Sequence, residues 1–217
     1  MEKMIETLYK EKLVLIARRI PLDKIGECAR AAYKAGIRFM ESTFDQTNPD
    51  CIAENQKCIQ KIIEATDGKI YVGAGTVLSA KQVKAAYDAG AKYIISPNTK
   101  KEVIDETKKL NLISIPGAMT PTEIEYAYSL GADIVKLFPA DDMGFAYIKN
   151  LQGPLSHIPL MATGGVNPET IPVYYQSGIK AFGTGITILK PEHIKNGDYE
   201  KIYLLAKAHT DVIKNLK

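Results

Sequence analysis

Much is missing from this 217-residue sequence, and each absence excludes something. No stretch approaches the ~20 uncharged apolar residues that a membrane-spanning helix needs. The N-terminus, Met1-Glu2-Lys3-Met4-Ile5-Glu6, carries acids where a secretory signal would be positive, and no apolar core follows. Charge of one sign is scarce. Lys and Arg number 28 against 25 Asp and Glu, a net +3, which argues against nucleic acid and leaves room for a small anion. The three cysteines, Cys28, Cys51 and Cys58, form no Cys-x-x-Cys pair and cannot all be bridged, so a reduced, cytoplasmic setting is expected. Cys51 and Cys58 fall on one face of an expected helix, where packing explains them. His157, His193 and His209 have no partner at ligand spacing, so no zinc site is expected. No low-complexity tract or Pro/Ser-rich linker divides the chain, which reads as one domain over 1–217. An apolar fraction of 46% at this length is enough for a sizeable core without staples.

What the sequence does contain is a recurring helix end. Ala31–Met40, Ala85–Ile94, Tyr126–Val135 and Val173–Phe182 each place a tyrosine three residues before a glycine, with an apolar run after it. The pattern predicts a helix closed by a left-handed glycine and then a buried strand. Gly36, Gly90, Gly131 and Gly178 are 54, 41 and 47 residues apart, too irregular for a solenoid. Apolar runs at 13–17, 37–41, 70–74, 93–96, 112–115, 133–138, 159–162 and 180–184 alternate with helical segments, the last at 198–214, and residues 2–10 add a leading helix. Alternation implies parallel strands with right-handed crossovers. Eight such units predict a single (β/α)8 TIM barrel with a short leading N-terminal helix. An open doubly wound sheet would carry a Gly-rich turn after its first strand, which is absent. Thr120-Pro121-Thr122-Glu123 and Asn167-Pro168-Glu169 supply helix starts.

In a barrel, chemistry collects where strands end. Lys136 stands inside an apolar strand between Val135 and Leu137. A lysine there either pairs with an inward carboxylate for structure alone or is desolvated into a partly neutral amine able to form a Schiff base. Glu41 ends another apolar strand and would reach the same bowl, as an ion-pair partner or as a proton carrier. The glycines of Gly73-Ala74-Gly75-Thr76, Gly164-Gly165 and Gly183-Thr184-Gly185 suit either tight turns or backbone donors to a phosphate. Asp141-Asp142 reads as a solvated loop.

Taken in order, these strand ends resemble a known family. Met40-Glu41-Ser42-Thr43, Val72–Leu78, Ile95-Ser96-Pro97, Ile115-Pro116-Gly117, Val135–Ala140 and Thr163–Val166 match the class I aldolases that cleave 2-keto-3-deoxy-6-phosphogluconate and 4-hydroxy-2-oxoglutarate. The resemblance runs from Lys12 to Tyr199. It implies that Lys136 forms the Schiff base with pyruvate and that Glu41 transfers protons. It also implies that Thr76 contacts the pyruvate part, that Thr163 influences the face on which the aldehyde adds, and that Arg18 helps with the carboxylate. Pro97 and Phe138 come from the matched motifs and join the substrate-contacting set, with Gly164, Gly165, Gly183 and Gly185 at the phosphate end. No metal or organic cofactor is implied, and the family is usually a homotrimer.

Two positions depart from the family pattern. Asp45 stands where an Arg commonly binds the keto acid's carboxylate, and Ile186 where a Ser commonly follows the last glycine. Either Asp45 turns outward and Arg18 takes the carboxylate, or Asp45 meets a hydroxyl or amino group on an altered substrate. Two rival readings are a barrel isomerase or synthase that uses Lys136 only as a charge, and a non-catalytic sugar-acid binding barrel.

Overall fold

The computed structural model describes residues 2–216. Nine short strands form one parallel, nearly closed, barrel-like sheet: β1 (Leu13–Ala17), β2 (Phe39–Thr43), β3 (Tyr71–Gly75), β4 (Tyr93–Ile95), β5 (Ile113–Ile115), β6 (Gly117–Ala118), β7 (Val135–Leu137), β8 (Leu160–Thr163) and β9 (Ala181–Thr184). Their order is β5-β4-β3-β2-β1-β9-β8-β7-β6. The expected run at 112–115 is present as β5, and a further short strand, β6, follows Pro116, which has no N–H to donate. Around this break the chain still bonds to both sides. Ser96 N–H donates to Ile115 O at 3.2 Å, and Lys136 N–H to Pro116 O at 2.8 Å. The open doubly wound alternative is thereby excluded.

The helices are α1 (Glu2–Glu11), α2 (Leu22–Lys34), α3 (Cys51–Ala65), α4 (Ala80–Asp88), α5 (Lys101–Lys109), α6 (Pro121–Ser129), α7 (Ala140–Leu155), α8 (Ile171–Gln176), α9 (Pro191–Asn196) and α10 (Tyr199–Lys214). The repeated helix ends take the predicted form. Gly36, Gly90, Gly131 and Gly178 have φ of 99°, 101°, 97° and 100°, a region that costs a Cβ-bearing residue strain. Each glycine N–H returns to the tyrosine carbonyl three residues back. Thr120 and Glu123 form a reciprocal capping box at the start of α6. Two helices differ from expectation. Gly144 interrupts α7 with a non-helical φ of 74°, and α9 forms between Lys190 and Gly197 where only a loop is legible.

Strand alternation sorts the core into two layers. Leu15, Met40, Val72, Ile94, Val135, Leu160 and Phe182 face out and pack under the helices. Val14, Phe39, Tyr93, Ile95, Ile113, Ile115, Ile134, Met161 and Ala181 fill the barrel, together with Leu8 of α1. Helix α1 therefore closes one mouth of the barrel with its apolar face. Cys51 and Cys58 are half-buried on α3 against the outer layer. Along each strand the inward positions beyond this apolar fill are Glu41, Gly73, Gly75, Lys136, Thr163 and Gly183, at the carboxyl ends of β2, β3, β7, β8 and β9.

Candidate active site

Lys136 follows Ile134 at strand spacing and so points into the barrel, where it is 5% exposed. No acceptor is within hydrogen-bonding reach of its amine among the described residues, and Nζ lies 4.6 Å from the centre of the Phe138 ring. Burial lowers its pKa, against the opposing pull of the Glu41 carboxylate, and Arg18 lowers it further. The amine is thus shifted toward its neutral, nucleophilic form.

Glu41 is 2% exposed, and its Oε2 has no hydrogen-bond partner. Burial raises its pKa to about 7, with Lys136 and Arg18 pulling it back down. A carboxyl group near 7 is divided between acid and base at neutral pH. Glu41 and Lys136 feel each other's charge, yet among the described residues no direct ion pair joins them. A purely structural salt bridge is therefore not what keeps the two charges inside.

The neighbouring glycines turn out to make room for side chains. A Cβ on Gly75 would collide with the Glu41 carboxylate, and one on Gly73 would fall within the Tyr93 ring. On the opposite wall a Cβ on Gly183 would press on Met161 and on Thr163 Oγ1. Thr163 Oγ1 is buried without a partner, as is the hydroxyl of Tyr93.

At the open mouth Arg18 donates to Thr76 Oγ1 at 3.4 Å. Thr76 holds a left-handed φ of 56°, an uncommon state for a β-branched residue, and Gln46 fixes its carbonyl at 2.7 Å. Pro97 packs its carbonyl against Gly117 at the seam between β4 and β6. Gly164 and Gly165 have φ of 109° and 61°. Their carbonyls accept from Tyr174 at 3.0 Å and Thr170 at 2.6 Å. Among the described residues their N–H groups have no acceptor, and neither does that of Ile186. Gly185 crosses the carbonyl of Ile16 too closely for any Cβ.

Asp45 does not join this bowl. Its carboxylate forms an ion pair with Arg19 at 2.9 Å, accepts a hydrogen bond from the same guanidinium at 3.1 Å, and accepts from the Thr47 hydroxyl at 2.7 Å. The Thr47 bonds, then Arg19, hold its pKa down at about 2. It lines an outer cleft with Arg19, Ile20 and Leu22. Ile186 is 73% exposed at the rim. Asp45 is thus turned away from the bowl, toward Arg19 and Thr47.

Three residues near the site escape a reading of the sequence alone. Tyr93 reads as plain core, and only its pairing opposite Gly73 reveals a phenol under Glu41. Asp141 reads as a solvated loop but sits against Gly164 and Gly165, whose missing side chains admit it. Arg19 carries no signal apart from Arg18, and only the fold shows that it neutralises Asp45.

A parallel, barrel-like sheet with a buried lysine and a buried carboxyl in each other's field has the groups that Schiff-base chemistry needs. Comparison with known proteins agrees. Residues 4–205 match the KDPG and KHG aldolase family, and the chain belongs to that family. It is accordingly a carbon–carbon lyase. It is 30% identical over 216 residues to the 2-dehydro-3-deoxy-phosphogluconate aldolase of Haemophilus influenzae, covering 98% of each chain. It is 29% identical over 206 residues to the 2-dehydro-3-deoxy-6-phosphogalactonate aldolase of Escherichia coli K12, covering 94% of this chain and 98% of that one. Among solved structures, KDPG aldolase from Legionella pneumophila, with pyruvate captured as a covalent carbinolamine, superposes with a TM-score of 0.80 at 25% identity. That match covers 93% of this chain and 95% of the other.

Proposed function

We propose that this chain reversibly cleaves a 2-keto-4-hydroxy acid to pyruvate and an aldehyde, with Lys136 as the covalent residue. The observation that carries the reading is Lys136 itself, buried in β7 with an unpaired amine and Glu41 as the charged neighbour within its field. Neutral Lys136 attacks the C2 carbonyl, and loss of water from the carbinolamine gives an iminium. As the C3–C4 bond breaks, its electrons flow into the iminium and leave an enamine. Glu41, directly or through water, takes the proton from the C4 hydroxyl and later protonates the enamine at C3. Hydrolysis then frees pyruvate.

Arg18, held toward the bowl by Thr76, is the cation placed for the substrate carboxylate, since Asp45 is spent on Arg19. Thr163 faces the aldehyde half. The free N–H groups of Gly164, Gly165 and Ile186 suit a phosphate at the far end. The substrate read from this set is 2-keto-3-deoxy-6-phosphogluconate, 4-hydroxy-2-oxoglutarate, or both, yielding glyceraldehyde 3-phosphate or glyoxylate. The name of the Haemophilus relative supports the first. The nine strands read as a (β/α)8 barrel whose fifth strand is split at Pro116, in one domain. A cytoplasmic homotrimer is the expected form. Large apolar side chains left exposed on the helices, among them Tyr126 and Leu204, fit partner contacts.

A pyruvate-release screen over phosphorylated and unphosphorylated 2-keto-3-deoxy acids tests the reading. Turnover of the phosphorylated acids is expected, at a lower rate than in relatives that keep the Arg and Ser at positions 45 and 186. Ile186 supplies no hydroxyl, and this favours a second reading in which the distal half is unphosphorylated. Activity confined to unphosphorylated acids would establish that reading in place of the first. Binding of keto acids with no turnover would make this a sugar-acid binding barrel.

A further inference from the structure

A line of hydrogen bonds runs from the last helix to the two glycine loops. His209, on α10, is 1% exposed. Its Nδ1 is 2.8 Å from the Leu205 carbonyl and its Nε2 is 3.1 Å from Thr187 Oγ1. Thr187 Oγ1 is 2.7 Å from Thr184 Oγ1, which lies 3.0 Å from the carbonyl of Val166. Both ends of this line are carbonyls, which can only accept.

Counting protons shows what a second proton on the ring would add. Four contacts need four hydrogens, and each threonine brings one. The Leu205 carbonyl requires a hydrogen on Nδ1. With a neutral ring three hydrogens serve four contacts, so one of the Nε2–Thr187, Thr187–Thr184 and Thr184–Val166 contacts lacks its donor. With a proton on Nε2 as well, all four are filled. His209 donates to Thr187, Thr187 to Thr184, and Thr184 to Val166. The carbonyls of Gly164, Gly165 and Val166 are then held in succession by Tyr174, Thr170 and Thr184. That arrangement fixes the loop whose N–H groups are free.

We propose that His209 is a positioning residue for the anion-binding end of the site, and that an anion on the glycine loops and a second proton on His209 promote each other's binding. The inference rests on the reading that these loops take the substrate's distal anion. By linkage, a proton that secures the loop for the anion is held more tightly once the anion is bound. Burial lowers the ring's pKa, while the Leu205 carbonyl and the Glu169 carboxylate, in the turn before α8, raise it. On its own helix Lys207 and Asp211 are paired with each other. Helix α8 presents only Tyr174 and Tyr175 as titratable groups, and the charged side chains of α2 and α9 lie exposed or half-exposed at the surface.

Inorganic sulfate is the probe, because it does not titrate between pH 5 and 8. Its binding is measured by calorimetry in buffers of different ionisation enthalpy, on the full-length protein and on His209→Gln, whose amide donates to Thr187 at every pH. In the wild type, binding should take up protons, and affinity should fall roughly three- to tenfold as pH rises, the value of one hydrogen bond. In His209→Gln the fall should disappear, and the uptake should drop to whatever Glu41 contributes. Trapping of pyruvate at Lys136 should keep its wild-type rate. Thr187→Val, which cuts the line but keeps the ring, should also lose the pH dependence. Wild-type pH dependence and uptake in both variants would overturn the proposal while leaving the anion site standing. Sulfate that competes with no phosphorylated substrate at any pH would show that the loops are not an anion site, and this inference would fall with that reading.

Discussion

Glu41 is buried at a cost that the site requires. Its carboxyl titrates near 7 where a free one titrates near 4.5. The folded chain holds this proton longer than the unfolded one, so stability falls as pH rises from about 4.5 to about 7. Glu41→Gln should remove that slope and leave the fold more stable at pH 8 by on the order of 2–3 kcal/mol. Urea unfolding at pH 5 and pH 8 measures it, and equal losses at both would show that the carboxyl is not desolvated. The same variant should exchange pyruvate methyl hydrogens with solvent ~10²–10⁴-fold more slowly. In the wild type that exchange should rise through about pH 7, as the base form of Glu41 appears. Arg18 and Arg19 divide the cation work, Arg18 toward the bowl and Arg19 on Asp45. Arg18→Ala should weaken pyruvate binding strongly. Asp45→Ala, which only releases Arg19 at the rim, should be mild or helpful. Normal pyruvate affinity in Arg18→Ala with lost affinity in Asp45→Ala would reverse that assignment.

At the scale of elements, β2, β3, β7, β8 and β9 carry inward positions beyond the apolar fill, and those positions hold either chemistry or a glycine. Gly73 and Tyr93 illustrate the rule, since they are paired in register on β3 and β4 and the ring fills the space a side chain would take. Gly73→Ala should cost about 1–3 kcal/mol by overpacking. Combined with Tyr93→Ala it should cost clearly less than the sum of the two, because the second change removes the clash. An additive double mutant would place the ring elsewhere. This pairing also shows where sequence reading stops. Lys136 and Glu41 were legible because each is a polar residue in or ending an apolar run, while Thr163 was legible only through the family motif. The four Tyr-x-x-Gly helix ends were legible because a left-handed residue needs glycine. Neighbours across strands need the register, which the sequence does not print. Hence Tyr93 under Glu41, Asp141 against Gly164 and the line from His209 to Val166 came only with the fold. The split at Pro116 had its cause in plain view, yet only the ladder on either side shows that the barrel survives it.

At the scale of the whole molecule, the two mouths of the barrel have separate tasks. Helix α1 plugs one with Leu8, while the strand ends at the other hold every proposed site residue. Changes at the plugged mouth should therefore act on stability alone. Leu8→Ala should cost about 2–5 kcal/mol in unfolding experiments and leave turnover at 25 °C near normal while the fold persists. Loss of turnover without loss of stability would mean that α1 reaches the site. Light scattering should report a trimer, and a monomer at working concentration would remove that expectation.

The central claim is that Lys136 bonds covalently to the substrate's carbonyl carbon. Sodium borohydride added to the protein with pyruvate tests it most directly, because reduction fixes whichever lysine has formed the imine. Mass spectrometry should find one reduced pyruvate per chain, on the peptide containing Lys136. Lys136→Ala should fold, take no label and show no turnover. A label on another lysine, or near-normal turnover in Lys136→Ala, would contradict the account.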